Sequence, residues 1–374
     1  MNAQGKTYSR LLSLDVFRGL TIALMILVNS PGNSTSYIWL EHAPWNGCTL
    51  ADLVFPFFVF IVGVSSTFSL SKTKAQGHSS LNQSVIKILK RSLIIFLLGL
   101  FLNAFPHHFE FSTLRYFGVL QRIAICYLIS SLLFLTTRLE IQAGIVVFIL
   151  IAYWLIMALI PLPIYGANNL TAEGNVAAYF DRLLFAPIHL YGKVYDPEGL
   201  LSTLPAVASA LIGNLTGAWL LSGYSREKKL FAMSIVGVLT LVFGWVWGLW
   251  FPINKALWSS SYVLWTGGWA LLILALCYWL IDIKGWKAWS KPFEIFGVNA
   301  MAAYFLHVLF LKIQINLFVS GSDGASVNLK SYITQLCFGW ASPENASLLY
   351  ALGYTLFWLL IMTILYRKKI FIKI

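Results

Sequence analysis

The segment Ile141–Leu162, IQAGIVVFILIAYWLIMALIPL, decides the fold class, because none of its 22 residues is charged. A helix needs about 20 predominantly apolar residues to cross the hydrocarbon core of a bilayer. An amphipathic helix of a soluble protein would carry charged residues along one face, and this segment carries none. The segment therefore predicts a transmembrane helix.

Segments of comparable length and polarity recur along the rest of the chain. They are Leu12–Ser30, Ala51–Leu70, Ile86–Asn103, Leu114–Thr136, Leu200–Ser222, Leu230–Phe251, Tyr262–Ile281, Phe293–Phe318 and Leu348–Tyr366. Only 11% of the residues are charged, whereas soluble domains contain about a quarter. Helices satisfy their backbone hydrogen bonds internally, as lipid requires. We predict an all-α integral membrane protein, a bundle of about ten transmembrane helices that forms one domain over residues 1–374.

The distribution of Lys and Arg predicts the orientation of this bundle. Eighteen of the 26 basic residues lie at one set of helix ends and loops, and five lie at the other. Cytoplasmic loops are enriched in Lys and Arg, so both termini are predicted to be cytoplasmic. The longer connections Pro31–Leu50, Pro163–Gly199 and Val319–Ser347 then face the outside. This pattern also explains the net charge of +12, and no basic, aromatic groove points to nucleic acid as a partner.

Polar residues within the first predicted helix are candidates for function, because burying them in a membrane is costly. Asp15, Arg18 and Asn29 lie within about 60° of one another on a helical wheel. They form a polar stripe that joins the two membrane faces. A local ion pair between Asp15 and Arg18 at the membrane surface explains two of the three equally well.

The segment Glu41–Asp52, EHAPWNGCTLAD, combines groups suited to acid–base chemistry. His42 could act as a general base or accept an acyl group, because imidazole titrates near neutral pH. Asp52 could orient that imidazole. It also completes a Thr49-x-x-Asp52 capping box at a helix start, and the two roles are compatible. The four cysteines lack metal-binding spacing, so no metal is expected.

Two later segments place polar groups at membrane depth. Gln121 and Arg122 lie near the middle of the fourth segment, and Arg115 lies on the same face. A buried arginine needs an anion or a cluster of carbonyl groups as its partner, and the anion is either an internal carboxylate or a ligand phosphate. Asn299 and His307 in the ninth segment either line a cavity or bond between helices.

Several motifs occur in a fixed order along nearly the whole chain. They are SLDVFRG (13–19), VN (28–29), HAPWNG (42–47), ADLVFPF (51–57), GVLQR (118–122), YDPEG (195–199), PINKALWS (252–259) and GVNA (297–300). Together they resemble the heparan-α-glucosaminide N-acetyltransferase family. We do not expect a counterpart of the large extra-cytoplasmic domain that precedes the bundle of the lysosomal enzyme. We therefore expect a compact bacterial relative in the inner membrane.

The resemblance implies that acetyl-CoA enters from the cytosol and that a glucosamine-type amine is met on the opposite side. His42 matches the family's active-site histidine, Asn29 a catalytic asparagine and Asp52 the acidic residue beyond it. In this hypothesis Asn29 bonds the thioester carbonyl. The expected cofactor-binding residues are Arg18, Gln121, Arg122, Asn299 and His307. The expected sugar-binding residues are Trp45, Asn46, Asp196 and Glu198, although the two carboxylates could instead cap a helix. Homodimerisation is plausible by the same resemblance.

Two other functions suit the same sequence. One is transport of amino sugars or their N-acetylated forms, which would not depend on acetyl-CoA or His42. The other is acetylation of a hydroxyl group of an envelope glycan, which would give an ester labile to hydroxylamine. The acetyl donor and the product bond therefore discriminate among the three hypotheses.

Overall fold

Thirteen α-helices make up most of the computed structural model, which describes residues 11–76, 81–106, 110–320 and 326–372. The helices are α1 (Leu12–Asn29), α2 (Leu50–Gln76), α3 (Leu81–Ala104), α4 (Val119–Thr136), α5 (Leu139–Leu159), α6 (Val176–Leu184), α7 (Leu200–Leu221), α8 (Arg226–Trp247), α9 (Ser260–Cys277), α10 (Lys291–Val298), α11 (Ala300–Asn316), α12 (Leu329–Phe338) and α13 (Pro343–Arg367). Two short antiparallel strands, β1 (Phe318–Ser320) and β2 (Ser326–Asn328), lie between α11 and α12. The predicted helical fold class is confirmed.

The number of membrane-crossing helices is eight or nine in the described chain. The helices α1, α2, α4, α5, α7, α8, α9 and α13 are long and apolar enough to cross, with α9 continuing to Ile283. The segments Ala288–Val298 and Ala300–Asn316 qualify together as one broken span, bent by 72°. The remaining predicted segment corresponds to α3, which is 24 residues long but carries Lys87, Lys90 and Arg91. The count of ten is therefore not confirmed.

The fourth predicted segment begins later than expected. Residues 114–118 have no regular secondary structure, and α4 begins only at Val119. The side chain of Asn103 donates to the carbonyl oxygens of Arg115 and Phe117, at 2.8 and 2.6 Å, which holds this stretch outside the helix. Gln121 and Arg122 therefore lie in the first turn of α4, and the prediction that they occupy the middle of a span was wrong.

The ninth predicted segment is not one continuous helix. Gly297 packs so closely against α1 that an added Cβ would overlap the carbonyl oxygen of Asp15. Asn299, at the break, donates to the Ile370 carbonyl and accepts from the Ile372 amide, both at 3.0 Å. Because α10 and α11 meet at a bend of 72°, Asn299 and His307 do not belong to one continuous helix.

Glycines bring α2 and α7 into backbone contact at the centre of the bundle. An added Cβ at Gly63 would overlap the Ala210 carbonyl oxygen, and one at Gly213 would overlap that of Phe60. Small residues at such crossings allow helices to pack closely where the hydrophobic effect gives no drive for association. The contact holds α2, whose residues Asp52 and Phe58 line two different cavities.

We call the two ends of the bundle the basic end and the loop end. At the basic end α1 begins and α13 ends, so that Asp15 and Ile372 line one cavity of about 540 Å³. At the loop end α1 ends and α2, α4 and α7 begin, and a second cavity of about 500 Å³ opens between their connecting segments. The beginning and end of the described chain therefore lie at the same end of the bundle.

Candidate active site

The loop-end cavity collects polar groups from distant parts of the sequence. Its charged and titratable lining residues are His42, Asp52, Arg115, Glu198 and Lys255, and its aromatic lining residues are Trp45, Tyr191 and Tyr195. Each comes from the start of a helix or from a connection at this end. Such a polar, partly aromatic concavity is suited to binding a small hydrophilic ligand.

His42 and Asp52 form a hydrogen-bonded pair at the start of α2. The Nδ1 atom of His42 lies 2.8 Å from Asp52 Oδ1. The other carboxylate oxygen accepts from the amides of Ala43 and Thr49, at 3.0 and 3.1 Å, and from the Thr49 hydroxyl at 3.1 Å. The Asp52 side chain is 1% exposed and that of His42 is 49% exposed. Asp52 thus caps the segment and holds the imidazole at once, as the sequence allowed.

The hydrogen bond to Asp52 fixes the tautomer of His42. An ionised carboxylate can only accept hydrogen bonds, so the hydrogen of a neutral imidazole belongs on Nδ1. The Nε2 atom then carries a free lone pair. An arrangement of this kind orients the imidazole that acts as base or nucleophile in acyl transfer.

Lys255, which is distant from both residues in the sequence, contacts this pair. Its Nζ lies 3.3 Å from Asp52 Oδ1, and 3.1 and 3.4 Å from the two ring nitrogens of His42. Burial lowers the pKa of Lys255, while the charges of Asp52 and Glu198 oppose that shift. The sequence analysis assigned no role to this lysine, and its place in the PINKALWS motif was the signal that could have found it.

Cys48 is the other reactive side chain near this pair. Burial raises the pKa of its thiol to about 12, and the charge of Asp52 adds to the shift. Because the thiolate and not the thiol is the nucleophile, this shift disfavours a nucleophilic role for Cys48.

Arg115 binds both carboxylates of the YDPEG motif. It forms two bonds to Asp196, at 2.8 and 2.6 Å, and one to Glu198. Asp196 also accepts from the backbone amides of Tyr191 and Glu198, and its side chain is fully buried. Asp196 therefore shapes the cavity wall, whereas Glu198 lines the cavity itself.

The basic-end cavity has a different character. Arg18 donates to Asp15 at 3.0 Å, to the Gly297 carbonyl at 3.2 Å and to the Ser65 hydroxyl at 2.6 Å. Arg91 lies over the ring of Tyr127, 4.8 Å from its centroid, and both line the cavity. The local Asp15–Arg18 pair is present, and Arg18 also faces the cavity.

Comparison with known proteins identifies the family. Residues 10–245 match the sequence model described as the catalytic region of heparan-alpha-glucosaminide N-acetyltransferase. The chain belongs to this family. The human heparan-alpha-glucosaminide N-acetyltransferase is 30% identical over 429 residues, covering 98% of this chain and 60% of the human protein. The mouse enzyme is 29% identical and is covered to 61% of its length. The chain thus spans about three fifths of the length of these relatives, and the resemblance seen in the sequence is confirmed.

In this family member, Trp45 and Asn46 occupy different positions. Trp45 donates to the Leu170 carbonyl at 2.9 Å, packs edge-on against Tyr195 and lines the cavity. Asn46 is exposed and accepts a hydrogen bond from Asn254 at 3.1 Å. Asn46 therefore ties the His42 segment to the Lys255 segment, and only Trp45 reaches the cavity.

Gln121 and Arg122 lie far from the basic-end cavity. Arg122 is buried, donates to the Gly199 carbonyl and the Ser202 hydroxyl, and lies over the ring of Trp258. Its Nε and Nη1 atoms are buried and have no hydrogen-bond partner among the described residues. A shared cofactor site at the basic end would require both residues to lie near Arg18. They lie instead at the loop end of α4, so the structure does not bring them together with Arg18.

The other predicted site residues are also dispersed. Asn29 is the last residue of α1 and is exposed at the loop end, outside the lining of the His42 cavity. The side chain of Asn299 is hydrogen-bonded to the backbone of Ile370 and Ile372. His307 is buried within α11, where its ring donates to the Ala303 carbonyl at 3.0 Å. His107 and His108 lie outside the described residues.

Proposed function

We propose that this protein transfers the acetyl group of acetyl-CoA to the amine of a glucosamine-type sugar. The observation that carries this proposal is the oriented His42–Asp52 pair, whose free Nε2 atom belongs to a residue that lines the loop-end cavity. Membership of a family named for N-acetyl transfer to a glucosaminide supports it. The Lys and Arg distribution supports an orientation with the basic end in the cytoplasm, as in a bacterial inner membrane.

The separation of the two cavities suits a donor that reaches through the bundle. On α2, Asp52 lines the loop-end cavity and Phe58 lines the basic-end cavity. Six residues of helix rise by about 9 Å. On α4, Val119 and Tyr127 line the same two cavities, about 12 Å apart along the axis. The extended pantetheine arm of CoA is long enough to cross such a gap.

The basic-end cavity provides the charge that a CoA headgroup requires. Arg18 and Arg91 line it, and Ser65 adds a hydroxyl. Guanidinium groups bind phosphate oxygens in charge-assisted, often bidentate hydrogen bonds. The phosphates would therefore remain at the basic end while the thioester points toward His42.

The loop-end cavity provides complementary groups for an amino sugar. Glu198 is a partly exposed carboxylate that Arg115 holds in place, and it can bind an ammonium group. Trp45 and Tyr195 offer apolar ring surface beside it, against which a sugar ring can pack. We assign Glu198 and Trp45, and not Asp196 or Asn46, to direct contact with the acceptor.

His42 serves the chemistry by either of two balanced routes. In direct transfer, its Nε2 takes a proton from the acceptor amine as the nitrogen attacks the thioester carbonyl carbon. The carbon–sulfur bond then breaks, and the proton passes to the departing thiolate. In the two-step route, Nε2 attacks first and the carbon–sulfur bond breaks with release of the CoA thiolate. The amine then displaces the imidazole from the acetyl group, and Nε2 takes the proton that the amine loses. The role of Asn29 at the thioester carbonyl stays a prediction.

The test is acetyl transfer by the purified full chain from labelled acetyl-CoA to glucosamine. We expect transfer by wild type and a loss of about 10²- to 10⁴-fold in His42→Ala. His189→Ala is the matched control, because this loop-end histidine bonds the Leu114 carbonyl and not the His42 pair. Sugar flux without acetyl-CoA, equal in wild type and His42→Ala, would instead identify a transporter. A product labile to hydroxylamine would identify a hydroxyl acceptor.

A further inference from the structure

The basic-end cavity has a buried interior and an exposed mouth. Its buried lining residues include Phe58, Ile61, Ser66 and Tyr127. Phe371 and Ile372 line the same cavity but are 41% and 42% exposed, and Arg91 is exposed as well. Residues that line a cavity and also remain exposed lie where the cavity opens to the surface. The mouth is therefore formed in part by residues 369–372, the segment that follows α13, which we call the strap.

A turn at Lys369 sends the strap back from the end of α13. Lys369 has a left-handed conformation with φ of 56°, and the Ile370 amide donates to the Leu365 carbonyl at 2.9 Å. Helices commonly end in such a reversal, in which one residue takes the left-handed conformation. The end of α13 is itself tied to α10, because Lys291 donates to the Tyr366 hydroxyl at 2.7 Å. The helix end is therefore held, and the chain turns after it.

Asn299 binds the backbone of the strap at two points. Its Nδ2 donates to the Ile370 carbonyl and its Oδ1 accepts from the Ile372 amide, both at 3.0 Å. Asn299 is buried at the bend between α10 and α11. Close packing holds α10 against α1, because an added Cβ at Gly19 or Gly297 would overlap a backbone carbonyl oxygen of the other helix. The two bonds therefore tie the strap to a rigid part of the bundle.

The strap differs from this rigid part in its packing and charge. Ile370, Phe371 and Ile372 are 41–44% exposed, and segments with few buried contacts open at a low cost in free energy. Two exposed cations, Arg367 and Lys368, directly precede the strap. Apolar side chains beside cations suit a ligand that carries phosphate groups next to a flat aromatic ring, as the nucleotide part of CoA does.

We propose that the strap is a lid of the basic-end cavity, and that Asn299 is the positioning residue that latches it over bound acetyl-CoA. The two hydrogen bonds hold Phe371 and Ile372 at the mouth, where their side chains pack against the donor and slow its release. Opening breaks these two bonds and leaves α10 and α13 in place. This inference deepens the proposed function and rests on it for the identity of the donor.

The first test measures binding and needs no acetyl transfer. Desulfo-CoA, which lacks the reactive sulfur, is bound to the purified full chain, and its dissociation rate is followed. Asn299→Ala removes both bonds to the strap, and we expect it to release desulfo-CoA about tenfold faster, as the loss of two hydrogen bonds predicts. Asn299→Gln carries the same amide on a longer side chain and should restore part of the difference.

A second variant breaks the latch from the strap, outside the bundle. Ile372→Pro has no amide hydrogen to donate to Asn299, and it should also release desulfo-CoA faster than wild type. Ile372→Val is the matched control, because it keeps the amide and most of the side chain. The double variant of Asn299→Ala and Ile372→Pro should release no faster than Asn299→Ala, since both changes remove the same bond. Fully additive effects would overturn the latch.

The outcomes separate the lid from the proposed function. Wild-type release rates in Asn299→Ala and Ile372→Pro, with both variants folded as judged by thermal unfolding in detergent, overturn the lid and leave the donor site standing. A lower unfolding temperature with an unchanged release rate would mean a merely structural role for Asn299 and also overturns it. Slower release from the variants would show that the strap obstructs the donor. A wild-type protein that does not bind desulfo-CoA would refute the donor site and the lid together.

Discussion

The basic-end and loop-end cavities are both lined by residues of α2, and they differ in the arrangement of their charged side chains. At the loop end, Arg115 is bonded to Asp196 and Glu198, and Lys255 to Asp52, so that cations and carboxylates fix one another. At the basic end, Arg18 and Arg91 outnumber the single carboxylate Asp15 among the lining residues. Interlocked charges hold side chains in place for chemistry, whereas an excess of one sign attracts a ligand of the other. The difference suggests a reaction site at one end and an anion site at the other.

The largest expected effect comes from replacing Asp52, the carboxylate that binds both His42 and Lys255 at the loop end. Asp52→Asn replaces the acceptor of the Nδ1 hydrogen with an amide that can also donate, and it weakens the fixed tautomer of His42. We expect acetyl transfer to fall by about 10²- to 10⁴-fold, measured with glucosamine and labelled acetyl-CoA. Asp181→Asn is the control, since this carboxylate caps α7 through the Leu200 amide at the same end. Near-normal transfer by Asp52→Asn would remove the pair from the mechanism.

A smaller effect should separate the two ends by substrate. Arg18→Gln removes a cation from the basic-end cavity. We expect the KM for acetyl-CoA to rise about tenfold, because one charge-assisted hydrogen bond to a phosphate is lost. The KM for glucosamine should stay unchanged. Arg138→Gln, on the residue that precedes α5, serves as the control because Arg138 does not line that cavity. A change in the KM for glucosamine alone would contradict the assignment of the donor to this end.

The converse prediction concerns Glu198. Glu198→Gln keeps the shape of the loop-end cavity and removes the charge that would bind an ammonium group, so the KM for glucosamine should rise by about tenfold. The KM for acetyl-CoA should not move. Asp196→Asn is the informative comparison, because Asp196 is buried under Arg115, and its loss should lower the unfolding temperature instead. Equal kinetic effects of both variants would refute the distinction between them.

The smallest expected effect concerns the helix contact that fixes α2 between the cavities. Gly63→Ala would force a Cβ onto the Ala210 carbonyl oxygen, which should cost about 1–3 kcal/mol of stability. The unfolding temperature in detergent measures this loss. Gly144→Ala is matched to it, because nothing lies within 4 Å of the added Cβ there. If both substitutions have the same effect, the contact does not fix α2.

The sequence predicted what depends on local pattern. Apolar runs located the helices, and the ten-residue spacing of His42 and Asp52 allowed the pair that the structure contains. The break at Asn299 escaped notice because both sides of it are apolar and the cause is a bond to a segment some 70 residues later. The depth of Arg122 was misjudged because residues 114–118 are partly apolar and yet not helical. Lys255 meets His42 across 213 positions, which only tertiary packing reveals.

The central claim is that the donor and the acceptor meet from opposite ends of one bundle. Sealed proteoliposomes test it most directly, with labelled acetyl-CoA outside and glucosamine trapped inside. For molecules inserted with the basic end outward, we expect acetylated sugar to accumulate in the lumen, and His42→Ala vesicles to give none. Product that forms only when both substrates share one compartment would contradict the account.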